Sequence, residues 1–408
     1  MITFSHPTGN ANVRAALDGL QAAGLLEHYH TAIATYPGNV FDTLSKLGLR
    51  DFSRRAFSPE LAAKTHTHPW MELGRLLAGK AGLHTLTQHE TGALSVDAIY
   101  HSIDERVAAH LAGERPAAVY AYEDGAAASF ARARSLGITT LYDLPIGYWR
   151  AARRLLGSVV NTYPEWASTV RGLQDSDAKL ARKDRELELA DHIFVASSFT
   201  AHTLQDYPGQ LAPIHVIPYG FPPPVQQRAY VPATNRPLRL LFVGGLSQRK
   251  GLAELFAAVD TFGERIALTV VGRAPQQDCP PLSAALQKHR YIPSLPHAKI
   301  LDLMREHDLL LFPSHFEGFG LVITEAMSQG TPVITTERTA GPDLIESGKE
   351  GYIVPAGDTE ALIAQLDALL TRPEQLADLG RAASRRAGER PWSVYGRELA
   401  TTINGLLT

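Results

Sequence analysis

Apolar residues fall along this chain in short unbroken runs, separated by amphipathic stretches, and the contrast is sharpest in the second half. Leu238–Val243 is one such run, ended by Gly244-Gly245, and residues 252–262 after it carry a helical period. Ala267–Val271 is a second run, ended by Gly272, and Asp308–Phe312 a third, stopped by Pro313-Ser314. Val322–Ser328 predicts a helix closed by Gly330, with Pro332–Thr335 as the next strand. Strands that are apolar without alternation are buried on both faces, so the pattern predicts a parallel sheet covered by helices.

Residues 1 to about 215 read mostly as helices between shorter apolar runs. Ala117–Tyr122, Ile138–Tyr142 and His192–Ala196 are expected strands, the last followed by Ser197-Ser198 as N-cap residues. Between the halves, prolines from Pro218 to Pro237 can continue neither a helix nor a central strand, which predicts a semi-rigid connection. The expected division is therefore an N-terminal domain at 1–217, a linker at 218–237 and a C-terminal domain from 238.

A length of 408 residues agrees with two domains. A formal net charge of −3 argues against a nucleic-acid partner. Cys279 is the sole cysteine, which excludes an intrachain disulfide and a cysteine-built zinc site. Met1–Pro7 has neither a basic nor a long apolar region, and no run approaches the ~18 apolar residues of a membrane span. A cytoplasmic location is expected, with peripheral contact at the inner membrane face as an option. The segment that raises it is basic and aromatic, from Tyr148 and Trp149 to Leu156; a solvated or interdomain face is its simpler reading.

Candidate chemistry falls at strand ends, where open parallel sheets bind ligands. After Phe312 the chain reads Pro313-Ser314-His315-Phe316-Glu317-Gly318-Phe319-Gly320-Leu321, and Glu325 lies inside the following helix. The glycines let backbone amides approach an anion, and a carboxylate accepts well from vicinal sugar hydroxyls. At the other strand end, Gly244-Gly245 precedes Arg249-Lys250-Gly251, a plausible diphosphate clamp without the spacing of a P-loop.

These segments resemble the retaining family-4 glycosyltransferases, whose signature is two glutamates separated by seven residues in an E-G-F-G-L context. The resemblance covers nearly all of the C-terminal half. It implies a GT-B fold, two Rossmann-like doubly wound α/β domains facing a central cleft, with the donor domain at 238–390. It also implies a closing helix at 391–408 that packs back on the N-terminal domain. Glu317 would contact the transferring sugar and Glu325 the ribose, with Gly318, Phe319, Gly320 and Leu321 facing sugar and phosphate. Lys250 matches the family cation on the diphosphate. A second cation often follows the first glycine; this chain has Gly245 there, which passes that duty to Arg249. Backbone around His289 to Ile292, Tyr291 and Ile292 included, would hold the base of a UDP- or GDP-sugar. The resemblance implies no cofactor and no metal.

For the N-terminal half, Gly9 and Asn10 suit either a turn near a phosphate or a plain helix cap. The family's mid-domain histidine is absent, the strand end reading Tyr142-Asp143-Leu144-Pro145. Asp143, Tyr148, Glu123 and Asp124 are the acceptor-side candidates, each weighed against a structural role. The pairs His28/His30 and His66/His68 present no convincing ligand set and read as core or surface residues. The resemblance implies an acceptor hydroxyl on a sugar, a lipid-linked sugar or a polysaccharide in glycan or glycoconjugate synthesis, which the sequence does not identify. Three rivals share the architecture: a nucleotide-sugar epimerase, a sugar phosphorylase and a non-catalytic sugar-nucleotide sensor.

Overall fold

A computed structural model describes residues 1–47, 52, 55–170, 173–231 and 233–408, so residue 232 of the expected linker lies outside the described residues. The N-terminal half contains β1 (Ile2–Ser5), β2 (Leu26–Thr31), β3 (Thr65–Thr67), β4 (Ala118–Tyr122), β5 (Thr139–Leu144), β6 (His192–Val195) and β7 (Ile214–Val216). They form one parallel sheet in the order β3-β2-β1-β4-β5-β6-β7. The C-terminal half contributes β8 (Leu238–Val243), β9 (Ile266–Val271), β10 (Arg290–Ile292), β11 (Leu309–Phe312), β12 (Val333–Thr336) and β13 (Gly351–Val354). Their order is β10-β9-β8-β11-β12-β13, again all parallel.

Both halves are thus doubly wound α/β domains. The reading of the first half as mostly helical needs correction: β2 (LEHYHT) and β3 (THT) are strands. Their polar letters hide them, because Tyr29 fills one face while His28 and His30 share the other with His66. The central strands do read as apolar: Leu240, Leu241, Phe242 and Leu309–Phe312 have no exposed surface. In the first domain Phe4 stacks on Tyr120 at 4.9 Å between ring centroids.

The chain passes between the domains twice, and the two passages touch. Phe221 bridges Pro391, the Phe221 amide donating to the Arg390 carbonyl at 2.9 Å. The Arg390 guanidinium donates to the Pro218 carbonyl, and a Cβ on Gly220 would lie 2.5 Å from the Trp392 Cα. After the second passage the helix Trp392–Leu407 lies on the helix Ala11–Ala22 of the first domain. The two backbones meet at glycines: a Cβ on Gly19 would fall 2.2 Å from the Gly396 carbonyl oxygen, and one on Gly396 2.3 Å from that of Ala15.

Candidate functional site

In each sheet the strand order reverses between two neighbours that are not adjacent in sequence, β1/β4 in the first and β8/β11 in the second. A crevice opens outside the carboxyl ends of such a pair. The loop after β8 carries Gly244, Gly245, Arg249 and Lys250, and the loop after β11 carries Glu317 to Gly320. The fold therefore brings together two segments that the sequence separates.

Lys250 donates to Glu317 Oε2, and Arg249 Nη1 reaches the same oxygen at 3.0 Å. Arg249 also donates to the Phe316 carbonyl, and the Lys250 ammonium stands 4.7 Å over the Phe312 ring. Burial pulls the Lys250 ammonium below its ordinary value. Burial would raise Glu317 as well, but Lys250 and Arg249 outweigh it and hold the carboxyl below the usual range. Glu317 is consequently an anion near neutral pH, clamped by two cations. Both cations keep unused N–H groups, since an ammonium has three and a guanidinium five.

Two glycines make the geometry possible. Gly251 sits at φ +70° with its Cα hydrogens against the Pro313 carbonyl, where a Cβ would fall 2.1 Å from the oxygen. Gly320, at φ +87°, turns the chain into the helix Leu321–Ser328, which carries Glu325. Glu325 Oε1 is 2.9 Å from His297 Nε2, and that contact raises the His297 pKa. Gly245, Leu246, Ser247, Arg249, Lys250 and Arg273 line a cavity of about 610 Å³. Arg273, just past the end of β9, is a third cation that the sequence reading missed. Ile292 ends β10 beside it, accepting from the Gly272 amide at 3.0 Å, and Tyr291 is half-buried in the same strand. His289 precedes β10, stacked on Phe256.

Beneath the clamp lies a buried network that no sequence signal revealed. His315 Nε2 contacts Glu254 Oε1 at 2.7 Å, and Gln248 donates to Glu254 Oε2 at 2.8 Å. Gln248 Oε1 accepts from the Ala253 amide, which fixes the turn that presents Arg249 and Lys250. Burial alone would raise the Glu254 carboxyl; the hydrogen bonds from His315 and Gln248 bring it below its ordinary value.

The first domain presses on this loop. A Cβ on Gly318 would lie 2.2 Å from the Pro145 carbonyl oxygen and 2.7 Å from the Ile146 Cα. Ser197 and Thr200 both donate to the Gly318 carbonyl, at 2.5 and 2.9 Å. Ser197 is also the N-cap of Ser198–Thr203, as its position after β6 predicts. Phe199 meets Phe316 edge-on at 5.4 Å, and the Gln248 amide donates to Thr169 Oγ1 at 2.8 Å.

The acceptor-side candidates fare differently from one another. Gly9 is buried against Phe57, and Asn10 stands exposed at the N-cap of Ala11–Ala22 without making a side-chain cap bond. Asp143 sits at the end of β5, where the family's histidine is expected, but it is buried. The Tyr120 hydroxyl donates to it at 2.5 Å, and burial lifts its pKa to about 7. The Tyr148 hydroxyl is committed to Asp184 at 2.7 Å and its ring is buried, which is a structural role. Glu123, raised to about 7 mainly by burial, lies 3.5 Å from Lys183; Asp124 turns the chain at φ +69° and its amide donates to Glu186. In the basic segment Arg150 and Arg154 pair with Asp184 and Asp206 rather than presenting a free cationic face. Among the described residues no helix is long and apolar enough to cross a membrane.

The histidines lie closer together than their spacing in the sequence suggests. His28, His66 and His110 converge, each offering a ring nitrogen within 4.8 Å of the others, and His30 and His68 flank them. The sequence hid this set because His110 belongs to a separate helix, Val96–His110.

Residues 226–386 match the glycosyl transferases group 1 family. Similar curated proteins include glycogen synthase of Mycobacterium tuberculosis, 31% identical over 159 residues, 37% of this chain and 38% of that protein. The phosphatidyl-myo-inositol mannosyltransferase of Mycobacterium leprae is 33% identical over 176 residues, 41% of this chain and 47% of the relative. The chain thus matches less than half the length of these relatives. Over the whole chain, sucrose-phosphate synthase from Thermosynechococcus elongatus superposes with a TM-score of 0.68 at 18% identity, covering 99% of this chain and 98% of that one. HepE of Anabaena in complex with UDP gives a TM-score of 0.63 at 16% identity, with 99% of each chain covered. The fold is GT-B, as the signature implied.

Proposed function

We propose, from the match of residues 226–386 to the glycosyl transferases group 1 family, that this protein transfers a sugar from a UDP- or GDP-sugar to an acceptor hydroxyl with retention of configuration. The observation that carries the proposal is the convergence of Lys250 and Arg249 on Glu317 at the β8/β11 crevice, with Arg273 at the rim. The unused donors of Lys250 and Arg249, joined by Arg273, neutralise the leaving diphosphate. Glu317, held ionised, accepts from hydroxyls of the transferring sugar, and Glu325 accepts from the ribose. Tyr291 and Ile292 border the base. Glu317 positions the sugar and is not the nucleophile; a donor phosphate oxygen takes the acceptor's proton on the front face. The acceptor binds across the cleft near Asn10, and is a free sugar, a lipid-linked sugar or a glycan end. No metal is needed for leaving-group stabilisation where three cations already surround the crevice.

The test is a thermal-shift and calorimetric screen of UDP, GDP, ADP and their sugars, since a ligand that binds only the folded state raises the melting point. At least one is expected to stabilise the protein, and Lys250→Ala and Glu325→Ala each to remove the effect. Absence of any shift would remove the donor-site assignment. Conversion of donor alone into a second sugar nucleotide would replace transfer by epimerisation, and phosphate-dependent cleavage of a disaccharide would replace it by phosphorolysis.

A further inference from the structure

The five clustered imidazoles lie in the first domain, away from the crevice residues, and the transfer chemistry uses none of them. His28 and His30 project from one face of β2, and His66 and His68 follow the same alternation along β3 and just beyond it. The parallel register pairs His30 with His66. His110 ends the helix Val96–His110 and places its ring 4.5 Å from that of His28 and 4.8 Å from that of His30.

Geometry divides the five into two roles. The rings of His28, His66 and His110 are splayed: interplanar angles are 81° for His28/His110, 55° for His28/His66 and 53° for His66/His110. Rings splayed in this way turn their edges, and so their nitrogens, toward one another. His30 does lie flat on His66, at 4.7 Å and 15°, and forms a wall. His28 Nδ1 is 3.0 Å from His66 Nε2, close to the separation of about 3.3 Å between nitrogens on a tetrahedral zinc ion.

Hydrogen bonding within the fold does not account for the cluster. The Nε2 atoms of His30 and His110 are buried without a partner, and so is the Thr3 hydroxyl on β1, whose register partner is His28. Unpartnered buried polar atoms are rare in folded proteins, and a water or an ion satisfies such atoms.

We propose that His28, His66 and His110 bind a divalent transition ion of the zinc class, with the remaining position open to water. Three imidazoles with no carboxylate among them suit Zn²⁺, Co²⁺ or Ni²⁺ and do not suit Mg²⁺ or Ca²⁺. The ion ties β2, the three-residue edge strand β3 and the end of the helix Val96–His110 into one unit. The ion would lie apart from the donor-site residues, all of which are in the other domain.

The test uses the full chain without a histidine tag, stripped with a chelator and titrated with Co²⁺ and with Zn²⁺. One equivalent of Co²⁺ is expected to give visible d–d absorption of a four- or five-coordinate ion, and Zn²⁺ to displace it and raise the melting temperature. His28→Asn and His66→Gln are each expected to reduce the absorption to background. A readout free of folding effects is carbethoxylation of the wild-type protein followed by peptide mass spectrometry. Zn²⁺ is expected to protect His28, His66 and His110 while the exposed His84 and His202 stay reactive. Failure to bind Co²⁺, unchanged binding in both variants, or equal reactivity with and without Zn²⁺ would each overturn the site and leave a stack of mutually hydrogen-bonded imidazoles.

Discussion

Substituting Gly318 by alanine isolates the contact between the two domains at the crevice. The backbone at Gly318 does not have the positive φ that favours glycine, so the new methyl group brings no local strain. It would instead stand 2.2 Å from the Pro145 carbonyl oxygen. A comfortable carbon–oxygen contact is about 3.3 Å, so the domains must part by about 1 Å at this point. Neither obstructing atom can swing aside, because both belong to backbone. The Ser197 and Thr200 hydrogen bonds to the Gly318 carbonyl stretch with the gap. Overpacking costs about 1–3 kcal/mol and each weakened hydrogen bond about 0.5–1 kcal/mol. The closed arrangement therefore loses roughly 2–5 kcal/mol, or about thirty- to several-thousand-fold in population. Small-angle scattering is the direct assay, with a larger radius of gyration expected for Gly318→Ala. Calorimetry with the stabilising nucleotide is expected to show affinity within about threefold of wild type, because the donor contacts lie in one domain. Turnover, once an acceptor is known, is expected to fall by about a hundredfold. An unchanged scattering curve with unchanged turnover would refute the reasoning.

Asp143→Asn removes a carboxyl whose pKa is raised to about 7 by burial. The wild-type cost of ionising it begins above the unfolded value near 3.9 and is complete above about 7, so the variant gains stability only as pH rises. Denaturant melts at pH 4 and pH 8 are expected to coincide at the lower pH and to differ by a few kcal/mol at the higher; equal differences would contradict it. His6 runs the other way, since burial lowers it to about 4: its neutral form is favoured by the fold above 6.5, and that contribution is lost as pH falls from about 6.5 toward 4. His6→Gln is expected to flatten the acid limb of the melting curve by about 2 kcal/mol at pH 5. His315→Ala leaves Glu254 buried without its partner and is expected to cost about 2–4 kcal/mol in the C-terminal domain, read by urea titration. Gly396→Ala drives a methyl group into the Ala15 carbonyl and is expected to cost about 1–3 kcal/mol, lowering the first-domain transition by several degrees.

What the sequence discloses depends on whether the signal is local. β8, β9, β11 and β12 are apolar without alternation, and Glu317 and Lys250 stand next to glycines at strand ends, so both strands and clamp can be read letter by letter. β2 and β3 cannot, because their histidines are sheltered by each other and no window of sequence contains all the shelter. Arg273 follows an ordinary strand end and gains meaning only when the loops after β8 and β9 meet. Glu254, Gln248 and His315 look like an acidic helix start, a polar turn and a loop residue until the fold stacks them under the clamp. Asp143 occupies a position that was easy to single out. Its burial beside Tyr120 depends on packing that no neighbouring residue announces.

The paired crossings at Phe221 and Pro391 have a mechanical consequence. A single flexible tether would let the domains swing and twist in any direction. Two strands of chain held together by the Phe221 amide, the Arg390 guanidinium and the close approach of Gly220 to Trp392 form a hinge with one easy axis. Anchoring the second strand through the glycine contact of Gly19 with Gly396 makes that hinge part of the first domain's rigid body. Rotation about the crossing would displace each part in proportion to its distance from it, and the Gly318–Pro145 contact lies close to the pivot, since Phe319 packs on Tyr219 at 4.8 Å between ring centroids. The pivot is held by backbone contacts together with the Arg390 guanidinium.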